Sequence, residues 1–502
     1  MPFDLSQLQS AQLGRSHALH HEHVNPKWMR ALKLIGFDQE YVRAESQYLW
    51  NARGDRFLDF IGGYATCNIG RNHPVVRKAL SDFLASQAPS MVQFDAPVLA
   101  GILAQQLKER VGRNLDRVFF TNSGTEGIEA AIKFSRCTTK RSTMLFETGA
   151  FHGLSTGALA MNGCDSFREG FDPHPSDFRA VAFNDLVALE RELAKGDVAG
   201  FIVEPIQGKG VHLHSSGFLS EASKLCHRAG TLFIVDEVQT GIGRTGSFLG
   251  IDQEGTVEPD MVVLSKGLSG GYVPVGAVMV RASVWEKVFS RLDRAVVHSS
   301  TFHMGGLAMT AGLATLAVYD DEHLAERATQ HGAMIRSGLE AIAPRFEFIK
   351  AIRQRGLMIG IEFGVPNSLG LRVAWRMSHA LDTNLFVQAV TIPLMQDHRI
   401  LTQVAGHGIP VLKLTPPLTI STGDVSEFLH AFEQSMIRLH RFPGPAWDPL
   451  KRIALNSIRR RLRSVDSTDD RDSTADSDTH QMSELRSQVT RLRDPEQQRR
   501  DG

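Results

Sequence analysis

The sequence has few cysteines, and their spacing excludes the usual roles of paired thiols. Cys67, Cys137, Cys164 and Cys226 are the only four among 502 residues, and no two of them form a C-x-x-C pair. This spacing argues against a disulfide framework and against a zinc site. We therefore expect reduced, buried cysteines in an intracellular protein that binds no metal.

An excess of charge and long apolar runs are lacking as well. Lys plus Arg and Asp plus Glu number 55 each, so no overall field favours nucleic acid or an acidic partner. The N-terminus has no basic stretch followed by an apolar one, so no signal peptide is expected. No apolar run approaches the roughly 20 residues that a membrane span requires. These absences predict a cytoplasmic protein that binds no nucleic acid.

Two common catalytic signatures are missing. The sequence has neither a G-x-x-x-x-G-K-[ST] loop nor a G-x-S-x-G elbow, which argues against a P-loop phosphotransferase and a hydrolase. Gly241-Ile-Gly-Arg-Thr-Gly246 does match the G-x-G-x-x-G pattern of dinucleotide sites. Such a site needs a helix that opens at the third glycine, and no helical pattern follows Gly246. We interpret the match as a loop that binds no dinucleotide.

Residues 231–278 carry the strongest chemical signal. Two short apolar runs, at residues 232–235 and 261–264, have the length and composition of buried strands. Asp236 ends the first run and Lys266 follows the second. In open α/β sheets, ligands bind at the carboxyl ends of the strands. An acid and a lysine at that edge suit a cofactor that needs one carboxylate and one amine, and we interpret this cofactor as pyridoxal 5'-phosphate.

A second stretch has the features of a phosphate site. Residues 117–121 read as a strand, followed by Asn122-Ser-Gly-Thr-Glu-Gly127 and a helix. A small polar turn that opens a helix can hold phosphate on free N–H groups and the positive end of the helix dipole. An ordinary capped turn is the alternative. Further strands at residues 143–146 and 201–203, alternating with helices, predict an α/β fold with a mostly parallel sheet.

Changes in composition along the chain predict five segments. We expect a flexible N-terminal arm at residues 1–25, an N-terminal segment packing with the small domain at 26–75, and a large cofactor-binding domain at 76–310. A smaller α+β domain should span 311–440, and a basic helix with a disordered tail 441–502. The basic helix at 451–463 predicts either a surface helix or an anchor at an anionic membrane.

Seven stretches in a fixed order resemble the class III pyridoxal-phosphate aminotransferases of fold type I, over residues 26–439. They are Ser123-Gly-Thr-Glu126, Phe151-His-Gly153, Glu204-Pro-Ile-Gln-Gly208, Asp236-Glu-Val-Gln-Thr-Gly241, Ser265-Lys-Gly267, Ser300-Thr-Phe302 and Pro416-Pro-Leu418. The resemblance implies a large domain with a seven-stranded, mostly parallel sheet and a smaller α+β domain. It also implies a homodimer with its sites at the subunit interface.

The resemblance implies roles for individual residues. Lys266 would form the Schiff base with the cofactor and later move the substrate proton, and Asp236 would keep the pyridine nitrogen protonated. Gln239 would bind the ring hydroxyl and Phe151 would stack on the ring. The remaining cofactor-binding residues would be Ser123, Gly124, Thr125, His152, Glu204 and, from the partner subunit, Thr301.

Departures from the family pattern bear on the substrate. Lys413 stands where many members have a carboxylate-binding arginine, Leu154 replaces another arginine, and Lys209 replaces a glutamate. Tyr64, after a glycine pair, completes the expected substrate-binding set. A lysine cannot make the two-pronged contact of an arginine with a carboxylate. We therefore expect an ω-amine, or an amine lacking an α-carboxylate, with a keto acid or aldehyde as acceptor and 2-oxoglutarate held differently.

The Lys413 variant, with His398-Arg-Ile-Leu-Thr-Gln-Val-Ala-Gly406 before it, resembles a branch that acts in lipid and secondary-metabolite pathways, such as amino-hopanoid synthesis. Two alternatives stay open. The chain could catalyse another reaction of the same family, as an aminomutase, decarboxylase or racemase. It could also be a non-catalytic scaffold that retains the fold.

Overall fold

The computed structural model describes residues 3–92, 94–381, 385–441 and 444. The predicted basic helix and the predicted disordered tail therefore lie outside the described residues. The strands are β1 Tyr41–Glu45, β2 Tyr48–Asn51, β3 Arg56–Asp59, β4 Arg117–Thr121, β5 Thr143–Glu147, β6 Phe178–Val181, β7 Val198–Val203, β8 Ile206–Gln207, β9 His212–Leu213, β10 Leu232–Asp236, β11 Met261–Leu264, β12 Gly276–Val280, β13 Ile349–Arg355, β14 Met358–Phe363, β15 Ile400–Leu401, β16 Gln403–Val404 and β17 Val411–Leu414.

The helices are α1 Leu5–Ala11, α2 Ser16–His23, α3 Pro26–Ile35, α4 Gly62–Ala65, α5 Pro74–Ala85, α6 Val98–Val111, α7 Gly124–Thr139, α8 Thr156–Ala160, α9 Asp165–Arg168, α10 Leu186–Leu193, α11 Phe218–Arg228, α12 Ala282–Val288, α13 Gly306–Asp321, α14 Leu324–Ile342, α15 Leu369–Leu381, α16 Leu385–His398 and α17 Thr422–Leu439. Short 3₁₀ turns lie at Gly250–Gln253, Lys266–Ser269, Leu292–Arg294 and Ala343–Arg345. Among the described residues, no helix combines the length and the apolar character needed to cross a membrane.

A seven-stranded sheet is the centre of the fold, in the order β4-β12-β11-β10-β7-β5-β6. All neighbouring pairs are parallel except those of β12, which runs antiparallel to both β4 and β11. Every residue of β5, β7, β11 and β12 is buried. Strands of a parallel sheet read as continuous apolar runs because helices cover both faces. The predicted mostly parallel seven-stranded sheet is confirmed.

Helices cover both faces of this sheet, and alternate residues of one strand enter different cores. Phe233 and Val235 of β10 lie in one apolar cluster, which α6, α11 and α13 complete. Ile234, between them, lies in a second cluster with residues of α7 and α12. Side chains of a strand point alternately to the two faces of the sheet, so one strand contributes side chains to both cores. The sheet is thereby a rigid base for residues at its carboxyl edge.

Besides a two-stranded sheet, β8-β9, two four-stranded sheets accompany the large one. One has the order β1-β2-β3-β15 and joins residues 41–59 to residues 400–401, and the other has the order β13-β14-β17-β16. The expected N-terminal arm contains α1 and α2, neither of which has a buried residue. Helix α13 crosses the expected boundary at 310/311, and its Met309 and Leu316 lie in the core of the large sheet. The division into domains stays a proposal.

Candidate active site

Asp236 ends β10 and Lys266 follows β11, as the sequence predicts, and the structure shows that the two strands are parallel neighbours. Asp236 is the last residue of β10 and pairs in register with Val263 of β11. Lys266 begins the 3₁₀ turn after β11 with a φ of 39°, in the left-handed region. For a residue with a side chain, such a conformation costs about 1–3 kcal/mol, and the adjoining buried strand holds it in place. Both residues line one cavity of about 800 Å³.

Most of the predicted site residues line this same cavity. They are Tyr64, Ser123, Gly124, Thr125, Phe151, His152, Glu204, Lys209, Asp236, Gln239, Lys266 and Lys413. Leu154 and Thr301 are exposed and stand outside this lining. In a homodimer, Thr301 is expected to reach the cavity of the partner subunit and not that of its own chain.

The Asp236 carboxylate is held by two hydrogen-bond donors. Its Oδ2 lies 2.8 Å from Nδ1 of His152, and its Oδ1 accepts from the backbone N–H of Val238 at 3.0 Å. Burial alone would lower the pKa of His152, but the hydrogen bond and charge of Asp236 outweigh it and raise that pKa. Nδ1 of the imidazole is thereby placed to donate to the carboxylate. The two contacts fix the orientation of the carboxylate.

Glu204 joins two loops at the floor of the cavity. Its Oε1 accepts from the backbone N–H of Phe151 at 3.0 Å, and its Oε2 accepts from that of Gly208 at 2.7 Å. Burial raises the pKa of this carboxyl, the charge of Asp236 raises it further, and the charge of His152 opposes both. The contact to Phe151 positions the aromatic ring that lines the cavity.

The turn before α7 forms a capped helix N-terminus that borders the cavity. Ser123 caps the helix, and its side chain accepts from the N–H of Glu126 at 3.3 Å. The first N–H groups of a helix have no partners within it, so those of Gly124 and Thr125 are available to an anion. A Cβ on Gly124 would lie 2.8 Å from Cγ2 of Val238. Only glycine lets the turn approach the loop after β10 so closely.

Three lysines line the cavity, and their surroundings differ: Lys209, Lys266 and Lys413. Burial lowers the pKa of Lys266, although the charges of Asp236 and Glu204 oppose this effect. Burial, with the charge of Lys266, lowers the pKa of Lys413 to about 7. A lowered pKa increases the fraction of an amine that can act as a base or nucleophile near neutral pH. Among the described residues that line the cavity, none is an arginine.

Lys209 lies in an aromatic cage. Its Nζ is 4.8 Å from the centre of the Phe151 ring and 4.0 Å from that of Phe167, and it donates to Oδ1 of Asn162 at 3.2 Å. Burial lowers its pKa. Cation–π contacts contribute about 0.5–2 kcal/mol, which is weak enough for an incoming anion to displace.

Tyr64 reaches the cavity from the left-handed turn α4. Gly63 and Tyr64 have φ values of 60° and 58°, and the Tyr64 side chain is 60% exposed. The Tyr64 carbonyl oxygen accepts from Nε2 of Gln239 at 3.1 Å. The turn thereby brings the N-terminal segment into contact with the loop after β10.

Sequence reasoning missed several residues of the lining. They are Thr66, Asn122, Gly153, Phe167, Gly208, Val238, Ser265, Ser269, Gly271, Tyr272, Val273, Pro274, Val275, Gln403, Val404, Ala405 and Gly406. Val238 stands inside a motif already singled out, so its position two residues after Asp236 was a usable signal. The segment from Gln403 to Gly406 belongs to a small sheet, and no spacing along the chain indicates that it reaches the large one.

The G-x-G-x-x-G match serves as a structural connector. Arg244, fully buried within it, donates to Asn68 Oδ1 at 2.6 Å, to the Leu357 carbonyl at 3.1 Å and to the Pro416 carbonyl. These acceptors come from three distant parts of the chain. The structure follows the sequence analysis in that no α-helix opens at Gly246.

Comparison with known proteins places this geometry in a family. The sequence profile of the aminotransferase class-III family matches residues 36–436. Aminotransferase PigE from Serratia sp. (strain ATCC 39006) is 34% identical over 446 residues, which cover 82% of this chain and 52% of that protein. The chain thus spans about half the length of this curated relative.

Two solved aminotransferase structures superpose on this chain. The ornithine aminotransferase of Toxoplasma gondii ME49 superposes with a TM-score of 0.71 at 29% identity, covering 80% of this chain and 91% of that one. The acetylornithine aminotransferase of Elizabethkingia anophelis gives a TM-score of 0.63 at 28% identity, covering 80% and 94%. The chain therefore belongs to the class III aminotransferases.

Proposed function

We propose that this protein is a pyridoxal-phosphate-dependent aminotransferase that moves an amino group between an amine and a keto acid or aldehyde. One observation carries the proposal. Lys266 and Asp236, from adjacent parallel strands, line the same cavity as a glycine-containing helix N-terminus. An amine, a carboxylate and an anion-binding turn are the three groups that the cofactor requires.

The described residues fit the cofactor part by part. Ser123, Gly124 and Thr125 would hold the phosphate, Phe151 would cover a ring face, and Asp236, fixed by His152, would meet the ring nitrogen. When bound, pyridoxal phosphate supplies an aldehyde for the amine and a ring that withdraws electrons. Gln239 would donate to the ring oxygen, and Glu204 would hold the Phe151 loop in place.

Lys266 would perform the proton transfer. Its Nζ takes the proton from the substrate carbon that bears the amine, and returns it later in the reaction. Burial lowers its pKa, so at neutral pH a larger fraction is unprotonated and able to accept that proton. The Lys266 turn is held by its buried neighbours Ser265, Gly267 and Leu268, which limits the positions its amine can take.

The substrate is proposed to lack a carboxylate beside the reacting carbon. Supporting this, no arginine is among the described residues of the lining, and apolar side chains such as Phe167, Val273 and Val404 contribute to it. Lys209 is the cation that an acidic co-substrate such as 2-oxoglutarate could recruit from its cage. Tyr64 and Leu154, both exposed at 60% and 54%, would meet substrate near the cavity entrance.

A homodimer is proposed because large apolar side chains are exposed in neighbouring segments. Phe94, Val98, Leu292, Val296 and Phe302 are between 64% and 106% exposed. A monomer that leaves so many apolar side chains in water would be unusual. Thr301, beside Phe302, would enter the partner subunit's cavity. Sedimentation analysis should give twice the chain mass, and a monomer would refute this assembly.

Location is a further part of the proposal. The four cysteines all lie in the described part of the chain and are unpaired, which supports a reducing compartment such as the cytoplasm. Peripheral contact of the basic segment with an anionic membrane is proposed as well. Anionic vesicles should sediment the full chain but not a truncation after Pro449, and equal binding would refute the contact.

Half-reactions test the activity directly. The purified protein should show a visible cofactor band, and Lys266→Ala should remove it. A non-catalytic scaffold that binds no cofactor would show no such band. Amines should bleach the band and a keto acid should restore it. A cofactor band that no amine converts to the pyridoxamine form would count against transamination and leave a racemase, decarboxylase or aminomutase as the alternative. Diamines or long-chain amines should react faster than α-amino acids, and faster turnover of alanine or aspartate would overturn the substrate proposal.

A further inference from the structure

Lys413 links the small sheet to the loops around Asp236. It lies on β17, between β14 and β16, and is 4% exposed. Its Nζ donates to the carbonyl oxygen of Gly208 and, at 2.6 Å, to Oε1 of Gln239. Gln239 lies on the loop after β10 of the large sheet, and Gly208 directly follows β8 of the two-stranded sheet. The ammonium group is thus held by protein atoms on two sides.

These contacts decide which way the Gln239 amide faces. Lys413 Nζ donates to Oε1 of Gln239, so the amide oxygen and not the NH₂ group faces the lysine. Nε2 of Gln239 then faces away from Lys413 and donates one hydrogen to the Tyr64 carbonyl oxygen at 3.1 Å. Its second hydrogen remains for a group in the cavity that Gln239 lines. The reverse orientation would present an acceptor there.

The backbone at Gly208 leaves room for the hydrogen bond between Lys413 and Gln239. A Cβ on Gly208 would lie 2.5 Å from Oε1 of Gln239 and 3.0 Å from Oε2 of Glu204. Any side chain at Gly208 would therefore displace the amide that Lys413 holds. Gly208 also donates its N–H to Glu204 at 2.7 Å, which fixes the carbonyl that Lys413 uses.

We propose that Lys413 is a positioning residue, which orients the Gln239 amide so that it presents N–H to the bound cofactor, and that it does not bind a substrate carboxylate. This inference rests on the proposed function, because it assumes that pyridoxal phosphate occupies the cavity. The ring oxygen of the cofactor carries negative charge, so a donor stabilises it and an acceptor repels it. Lys413 thereby acts on the cofactor through Gln239.

The test uses the complete chain and two measurements that require no turnover. Cofactor affinity is measured by titrating pyridoxal phosphate into the cofactor-free protein, and the pH midpoint of the visible band is measured on the loaded protein. Lys413→Met should weaken cofactor binding about tenfold, the effect of losing one hydrogen bond to a charged group, and shift the midpoint. Lys350→Met, exposed on β13 of the same sheet, should change neither.

A double-mutant cycle separates positioning from substrate binding. In a Gln239→Leu background, Lys413→Met should add less than about a twofold loss of cofactor affinity, because the residue through which it acts is gone. Lys413→Arg, which keeps donors, should recover part of the affinity. An unchanged affinity and midpoint in Lys413→Met, with a tenfold higher KM for 2-oxoglutarate, would overturn the inference. A loaded protein that transaminates nothing would refute the proposed function while leaving both measurements valid.

Discussion

Nδ1 of His152 lies 2.8 Å from Oδ2 of Asp236, and both side chains are buried at the carboxyl edge of the large sheet. The histidine arrives on the loop after β5 and the aspartate on β10, two strands away in the sheet order. The contact gives a buried carboxylate a hydrogen-bond partner and a fixed orientation. It also makes the orientation of Asp236 depend on a residue 84 positions away.

Asp236→Asn should lower the rate of the amine half-reaction by at least about a hundredfold, the usual effect of removing one preorganised electrostatic partner. Asparagine keeps the shape and removes the charge that would hold the ring nitrogen protonated. Stopped-flow absorbance of the cofactor band measures the rate. Asp82→Asn, exposed on α5 and paired with Lys78, is the matched control. A rate within twofold of the parent would contradict the role of Asp236.

His152→Asn should destabilise the protein most at low pH. The pKa of His152 is raised in the folded state, so the pair's contribution is fully present below about 6.5, the ordinary histidine value. It is lost as the pH rises through the raised value. The difference in Tm from the parent should therefore be largest near pH 6 and shrink at higher pH. His430→Asn, exposed on α17, should give a small and constant difference, and a gap that grows with pH would contradict the pairing.

Gly124→Ala should weaken cofactor binding about tenfold, since one hydrogen bond to a charged group contributes about 1.5–3 kcal/mol. The added Cβ would meet Cγ2 of Val238 at 2.8 Å, which displaces the N–H groups of the turn. Titration of cofactor into the cofactor-free protein measures the change. Gly370→Ala is the control, because a Cβ there has no neighbour within 4 Å. Equal affinities for the two variants would argue against a phosphate at this turn.

Lys209→Met should raise the KM for 2-oxoglutarate about tenfold and leave the amine half-reaction within twofold of the parent. Methionine keeps the apolar stem between the Phe151 and Phe167 rings and removes only the ammonium, whose charge-assisted contact is worth about 1.5–3 kcal/mol. Steady-state kinetics at varied keto acid measures the effect. Lys195→Met, on the surface beside Glu192, serves as the control. An equal rise in the KM for amine would assign Lys209 to packing.

Arg244→Met should lower the free energy of unfolding by at least about 2 kcal/mol, because each buried acceptor left without a donor costs about 1–3 kcal/mol. Asn68 and the carbonyls of Leu357 and Pro416 would lose their donor. Urea unfolding at fixed protein concentration measures the loss. Arg53→Met, whose side chain is 74% exposed, should change stability by less than about 0.5 kcal/mol. A similar value for both variants would contradict the connecting role of Arg244.

Local pattern was enough to predict the strands that carry the chemistry. The apolar runs at residues 232–235 and 261–264 become β10 and β11, and the strand at 117–121 becomes β4. Buried strands with helices on both faces have little freedom in composition, so their sequences identify them. β12 was not predicted, although its run from Gly276 to Val280 is just as apolar. Its antiparallel insertion between β4 and β11 depends on pairing partners far along the chain.

The family, the sheet and the positions of Asp236 and Lys266 could be read from the sequence, because the acid ends one recognisable strand and the amine follows another. The contacts and pKa values of the lysines in the cavity, by contrast, depend on the tertiary structure. Lys209 lies against two aromatic rings, and Lys413 is bonded to Gly208 and Gln239. Their pKa values and partners arise from burial and from contacts between segments up to 205 residues apart. No spacing along one chain encodes such contacts, since they depend on how separate sheets meet.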